Sequence, residues 1–268
     1  MSDLATFAGK TVLITGASSG IGRTFAHRLA AADAELVLVA RRADALARLA
    51  ETLRDRHGAT VRVIPADLAR PGAAADLYRT LLAQGLDIDA LINNAGIGIH
   101  GDLADADLGT VTGQIQLNVT TVAELSSLVL PAMVARGHGA IVNIASTAAF
   151  QPIAHMAVYA ATKAFVLSFT RALWAETRHT GVAVLAVSPG ATDTEFFQTA
   201  GEDASVGTRR SPDDVINTTL RALARRRPSV VDGRVNALVA ALAPRLPERL
   251  AIGIAERSVR SAPAALEV

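Results

Sequence analysis

Short, continuously apolar runs alternate with longer stretches of helical period along most of this chain. "TVLIT" (Thr11 to Thr15) precedes "IGRTFAHRLAAA", and "ELVLVA" (Glu35 to Ala40) precedes "RADALARLAETLRDRHG", a helix that Gly58 should stop. "VRVIPAD", "DALINNAG", "AIVNIAS" and "VAVLAVSPG" read as four more strands. A strand that is apolar on both faces needs cover on both faces. Helical crossovers between parallel strands supply it. Right-handed crossovers then wind the chain out in both directions. The expected fold is α/β, a doubly wound parallel sheet in three layers forming a single domain.

Composition narrows the function classes. Half of the 268 residues are hydrophobic, enough for a substantial core, and the formal net charge of +1 gives no electrostatic footprint for nucleic acid. Cysteine is absent and the six histidines (27, 57, 100, 138, 155, 179) show no metal-ligand spacing, so no metal site is expected. The first apolar run is short and leads into glycines, not a cleavage site, and no run reaches membrane-spanning length without a charge. The expected location is cytoplasmic. The expected division is a catalytic unit at residues 1–227 and an Arg-rich helical extension at 228–268, packed on or near the substrate side. Its apolar residues Leu238, Val239, Leu242, Leu246 and Leu250 also permit a basic amphipathic surface for a membrane or partner.

"TVLITGASSGIG" sets Gly16, Gly20 and Gly22 between the first strand and the first helix. Tight turning and close approach to a pyrophosphate require residues without a Cβ, and a helix N-terminus offers amide donors to phosphate. Strand two ends "VLVARR". An acid there would accept bonds from ribose hydroxyls. Here Ala40 takes its place, with Arg41 and Arg42 behind it. Guanidinium groups attract a 2′-phosphate that a carboxylate would repel, so the cofactor expected is NADP(H). Arg41 is the primary contact, Arg42 reads equally as a solvated helix start, and Ser18 and Ser19 are neutral partners.

Among 26 Lys and Arg residues only Lys10 and Lys163 are lysine. Lys163 lies four residues after Tyr159 in "AVYAATKAF", on one helical face. A phenol ionises near ~10, and a nearby ammonium favours the phenolate, which makes Tyr159 a candidate acid/base. Ser146 ends strand five at the carboxyl edge of the sheet, where open α/β folds place ligands.

With "NNAG", Asn118 in "LNVTT" and "SPG" added, the ordered motifs from about Gly9 to Phe197 resemble the short-chain dehydrogenase/reductase family, which has a Rossmann-like fold. The resemblance implies roles. Tyr159 is the general acid/base, Lys163 lowers its pKa and binds the nicotinamide ribose, Ser146 orients the carbonyl, and Asn118 holds a relay water. It implies cofactor contacts at Ile21 in the glycine loop, at Asn94, Ala95 and Gly96, and at Asp67 and Leu68 beside the adenine. It implies that "PGATDT" (Pro189, Gly190, Thr192, Thr194) holds the carboxamide, that Asn93 is structural, and that the protein is a homodimer or homotetramer.

The expected partner is a small carbonyl or alcohol substrate, of medium size and apolar. Phe150, Ile153, His155, Met156, Phe196 and Phe197 are candidates for its pocket, and each reads equally as packing. The stretch "EFFQTAGEDASVGTRR" is expected to form a lid, with Asp193 and Glu195 as solvated or helix-terminal charges. Two alternatives stand beside this reading: a membrane-associated lipid or sterol ketoreductase, and a non-catalytic NADP-binding regulator.

Overall fold

The computed structural model describes residues 7–197, 201 and 208–259. Seven strands form one sheet: β1 (Thr11–Thr15), β2 (Glu35–Ala40), β3 (Val61–Pro65), β4 (Ala90–Asn93), β5 (Gly139–Ile144), β6 (Val182–Ser188) and β7 (Ser229–Val231). Their order is β3-β2-β1-β4-β5-β6-β7, all parallel. The chain winds outward from β1 to β3, then crosses back to β4 on the other side. A crevice opens where the direction reverses, beyond the carboxyl ends of β1 and β4.

Nine α-helices accompany the sheet: α1 (Gly20–Ala30), α2 (Ala43–His57), α3 (Ala73–Ala83), α4 (Leu108–Ile115), α5 (Thr121–Arg136), α6 (Ala157–Thr177), α7 (Pro212–Ala224), α8 (Arg234–Leu242) and α9 (Glu248–Val259), counted among the described residues. Successive residues of β1 serve opposite layers. Val12 and Ile14 pack with Phe25 of α1, Leu46 of α2 and Ile216 of α7. Leu13 packs with Leu77 of α3, Leu125 and Met133 of α5 and Leu173 of α6. This two-sided burial is why the strand reads as an unbroken apolar run.

Local signals end the helices as the chemistry dictates. Gly58 follows α2 with φ +63°, a left-handed stop favouring a residue without a Cβ. Ser211 and Asp214 form a reciprocal capping box at the start of α7, with Pro212 in its first turn. The continuous helical run Leu108–Arg136 is long and apolar enough to cross a membrane by length and composition. Here Leu125, Val129 and Met133 face the sheet.

The apolar runs predict six of the strands. β7 was not among them, because three residues after "RRRP" are too few to show a period. It places Ser229–Val231 on the sheet edge beside β6, inside the stretch assigned from sequence to the C-terminal extension. Just beyond it Asp232 is fully buried and accepts hydrogen bonds from Arg210 Nε (2.6 Å) and Thr218 Oγ1 (2.7 Å). The backbone of Arg210 pairs in turn with Ala191 and Asp193. This ion pair, its carboxylate fully buried, thus ties the chain leaving β6 to the sheet edge. Residues 260–268 of the expected extension lie outside the described residues.

Candidate active site

Two loops meet at the crevice and are locked together. Thr15 Oγ1 accepts hydrogen bonds from the backbone nitrogens of Asn94 and Ala95, each at 3.0 Å. Asn94 Nδ2 donates to the carbonyls of Thr15 (3.0 Å) and Gly16 (3.2 Å). Gly16 has φ +65°, and a Cβ there would stand 2.8 Å from Asn94 Nδ2, so the turn needs glycine twice over. Gly22 is packed behind the same loop against Gly16. Asn93 points the other way and donates to Asn143 Oδ1 (2.9 Å) and Ser126 Oγ (3.2 Å), while Asn143 donates to Thr170 Oγ1. This buried amide chain joins β4 and β5 to α5 and α6, a structural role for Asn93.

A cavity of about 850 Å³ runs along the carboxyl edge of the sheet. Ser18, Ser19, Arg41, Arg42, Asp67 and Leu68 line one end. Gly16, Gly20, Ile21, Asn94, Ala95, Gly96, Pro189, Gly190, Thr192 and Thr194 line the middle, with Ser146, Tyr159 and Lys163 beyond. Of the catalytic and cofactor-binding residues expected from sequence, Gly22 and Asn118 are not on its wall. The donor set fits a dinucleotide phosphate: cations at one end, a helix N-terminus in the middle, and a lysine and hydroxyl pair at the other end.

Asn118 lies in a widened helical turn, Gln116–Thr120, between α4 and α5. It is fully buried. Its Oδ1 accepts from Ile97 N (3.0 Å), and its Nδ2 donates to Ile97 O (2.8 Å) and Thr162 Oγ1 (3.1 Å). Its amide therefore braces the wall behind Lys163.

Tyr159 and Lys163 lie one turn apart on α6, both buried. Lys163 Nζ donates to the Ile144 carbonyl at 2.9 Å and stands 5.8 Å from the centre of the Tyr159 ring. Burial lowers the Lys163 pKa from 10.5 to about 8. Burial raises that of Tyr159, opposed by a hydrogen bond with the Ser146 side chain. In the protein alone, loss of hydration disfavours the phenolate, and Nζ is directed at the Ile144 carbonyl. Ser146 caps the short turn Thr147–Phe150, its Oγ accepting from Ala148 N at 3.1 Å.

Apolar residues close the far end. Ile153, Met156, Phe196 and Phe197 line the cavity, as do Val239 and Leu242 of α8 and Ile254 and Ala255 of α9. Phe150 and His155 do not. Phe150 packs beneath the Arg171 guanidinium, and His155 donates from Nδ1 to Asp102 Oδ1 at 2.6 Å in a backbone turn with φ +61°. His100 Nε2 donates to the Val259 carbonyl at 2.8 Å, pinning the end of α9 to the loop after β4. Of the expected lid, residues 198–200 and 202–207 lie outside the described residues. Glu195 is not simply solvated: it pairs with Arg23 and Arg42.

A doubly wound sheet carrying a glycine turn, a cationic cofactor end, a buried tyrosine and lysine pair and a serine beside them defines a nicotinamide-dependent oxidoreductase. Residues 10–205 match the short chain dehydrogenase family, and the chain belongs to it. It is 38% identical over 187 residues to the ketoacyl reductase HetN of Nostoc sp., covering 70% of this chain and 65% of HetN. It is 32% identical over 233 residues to the NADP-dependent 3-hydroxy acid dehydrogenase of Schizosaccharomyces pombe, covering 83% of this chain and 90% of that protein. The structure of a short-chain dehydrogenase from Sphingobium yanoikuyae in complex with NADPH superposes with a TM-score of 0.80 at 38% identity, covering 97% of this chain and 100% of the other.

The buried ammonium has a thermodynamic signature. Folding lowers the Lys163 pKa, so between about 8 and 10.5 the unfolded chain holds the extra proton. Stability contributed by this group is therefore present above 10.5 and is lost as pH falls through about 8. Lys163→Met removes the titration. In denaturant unfolding the variant should be more stable than wild type at pH 7, by up to roughly 3 kcal/mol, with the gap closing as pH approaches 10.5. A variant less stable at pH 7 would show that the Ile144 hydrogen bond outweighs the burial cost.

Proposed function

We propose that the protein is an NADP(H)-dependent oxidoreductase that interconverts a medium-sized apolar ketone or aldehyde and the corresponding alcohol. The observation that carries this reading is the continuity of the cavity. It leads from Arg41 and Arg42 past Tyr159 into a chamber walled by Ile153, Met156, Phe196 and helices α8 and α9. The chamber wall is apolar, which favours a substrate held by shape and desolvation, with its carbonyl as the polar handle. The cytoplasm and a homo-oligomeric state remain part of this proposal.

When bound, the nicotinamide supplies or accepts the hydride. The chain's own groups manage the oxygen. The Tyr159 hydroxyl gives its proton to the carbonyl oxygen in reduction and takes it back in oxidation. Ser146 Oγ hydrogen-bonds to the same oxygen and stabilises the negative charge that develops on it. Lys163 holds the cofactor's ribose hydroxyls and supplies positive charge beside the phenol. A compact ammonium can do this beneath a ribose where a guanidinium is too broad. Arg41 and Arg42 bind the 2′-phosphate.

One observation favours a second reading, in which the substrate is lipid- or sterol-derived and the protein works at a membrane surface. Val235 is 75% exposed, Leu238 60% and Leu250 52%, and Val235 also lines the cavity mouth. Co-sedimentation with zwitterionic and anionic vesicles separates the readings. The protein stays in the supernatant under the first and pellets under the second.

Steady-state assays with a panel of apolar ketones test the first reading. Tyr159→Phe should lower kcat by about 100-fold or more with the affinity for NADPH nearly unchanged. Full activity in that variant would contradict the acid/base role. Arg41→Ala should weaken NADPH much more than NADH, and equal weakening would contradict the 2′-phosphate assignment.

A further inference from the structure

Three consecutive residues after β6 touch three separate parts of the site. Thr194 packs against Gly20 at the glycine turn, where a Cβ would come within 2.9 Å of Thr194 Cγ2. Phe196 tilts over the Tyr159 ring with centroids 5.6 Å apart. Between them, Glu195 reaches back to the cofactor's cationic end. Its Oε1 lies 3.5 Å from Arg23 Nη1 and its Oε2 3.5 Å from Arg42 Nη2. The same Arg42 Nη2 donates to Ser18 Oγ at 3.2 Å. Glu195, Arg41 and Arg42 all line the cavity. Among the described residues, Glu195 is the acid paired with Arg42.

We propose that Glu195 is a specificity-determining residue for the cofactor: its carboxylate competes with the 2′-phosphate for Arg42 and so limits the preference for NADPH over NADH. The inference rests on the NADP(H) reading above and on Arg42 as one of its phosphate contacts. While Arg42 Nη2 serves Ser18 and the carboxylate, that nitrogen is less available to a phosphate dianion. A carboxylate left close by repels that dianion. NADH carries a hydroxyl in place of the phosphate and meets no such competition. Strand two ends without an acid, so the sequence around Arg41 and Arg42 alone predicts a stronger NADPH preference than the folded protein has. The opposing charge enters from a segment some 150 residues later in the chain, as the separation between Arg42 and Glu195 shows.

Isothermal titration of the full chain with NADPH and with NADH, in the absence of substrate, tests this. Glu195→Gln keeps the side chain's size and removes its charge. It should tighten NADPH by about threefold to fivefold, the range of a partly exposed ion pair, and leave NADH within about twofold. In an Arg42→Ala background the same substitution should lose its effect on NADPH. An unchanged NADPH affinity in Glu195→Gln overturns the proposal. So does equal weakening of both cofactors, which would make Glu195 a latch that holds the segment closed. An NADPH-to-NADH ratio unmoved by Arg42→Ala also overturns it. If Arg41→Ala leaves that ratio unmoved as well, the NADP(H) reading itself fails. If the arginine variants shift the ratio and Glu195→Gln does not, only the role of Glu195 fails.

Discussion

The site is organised around a buried ammonium. Lys163 is held on α6, its charge opposed by burial and met by the Ile144 carbonyl at the end of β5. That contact ties α6 to the end of β5 beside the site. It places Tyr159 one turn away, and Ser146, two residues beyond Ile144, across from the phenol. Asn118 and Gly96 close the space behind it, since a Cβ on Gly96 would lie 3.2 Å from Asn118 Oδ1 and 3.3 Å from Lys163 Nζ. A lysine held this way costs stability. The fold carries that cost on the cavity wall, beside the Tyr159 phenol.

The remainder of the cavity divides by polarity. The Thr15–Asn94 lock sets the glycine turn against β4 and shapes the middle of the groove. Cations gather where β2 ends. The opposite end is apolar, roofed by Phe196 and walled by α8 and α9, with α9 anchored through His100 and Val259. One segment spans both ends: Thr194, Glu195 and Phe196 touch the glycine turn, the arginines and the Tyr159 ring in succession.

Much of this was legible in the sequence, for physical reasons. Strands buried on both faces leave unbroken apolar runs, and a turn that excludes Cβ leaves its glycines at fixed spacing. The pairing of Tyr159 with Lys163 shows as a four-residue step on a helix. Other features leave no local signal. β7 is too short to carry a period. Glu195 looks like any surface acid until the fold brings Arg23 and Arg42 to it. Phe150 and His155 sit in the right stretch, but the turn after β5 directs them away from the cavity. The burial that raises the Tyr159 pKa also leaves no local signal, because spacing reports the neighbour and not the loss of water around the phenol.

The proposed proton donor is Tyr159, a buried phenol on the wall of the cofactor cavity. The chain has two tyrosines, so in a Tyr78→Phe background Tyr159 is the sole phenol. Its ionisation can be followed by ultraviolet absorbance against pH. Burial in the protein alone should hold its midpoint above the ordinary value. If the nicotinamide of NADP⁺ occupies the cavity that Tyr159 lines, its positive charge should bring the midpoint down by about one unit or more. A midpoint that NADP⁺ leaves unchanged would contradict the account.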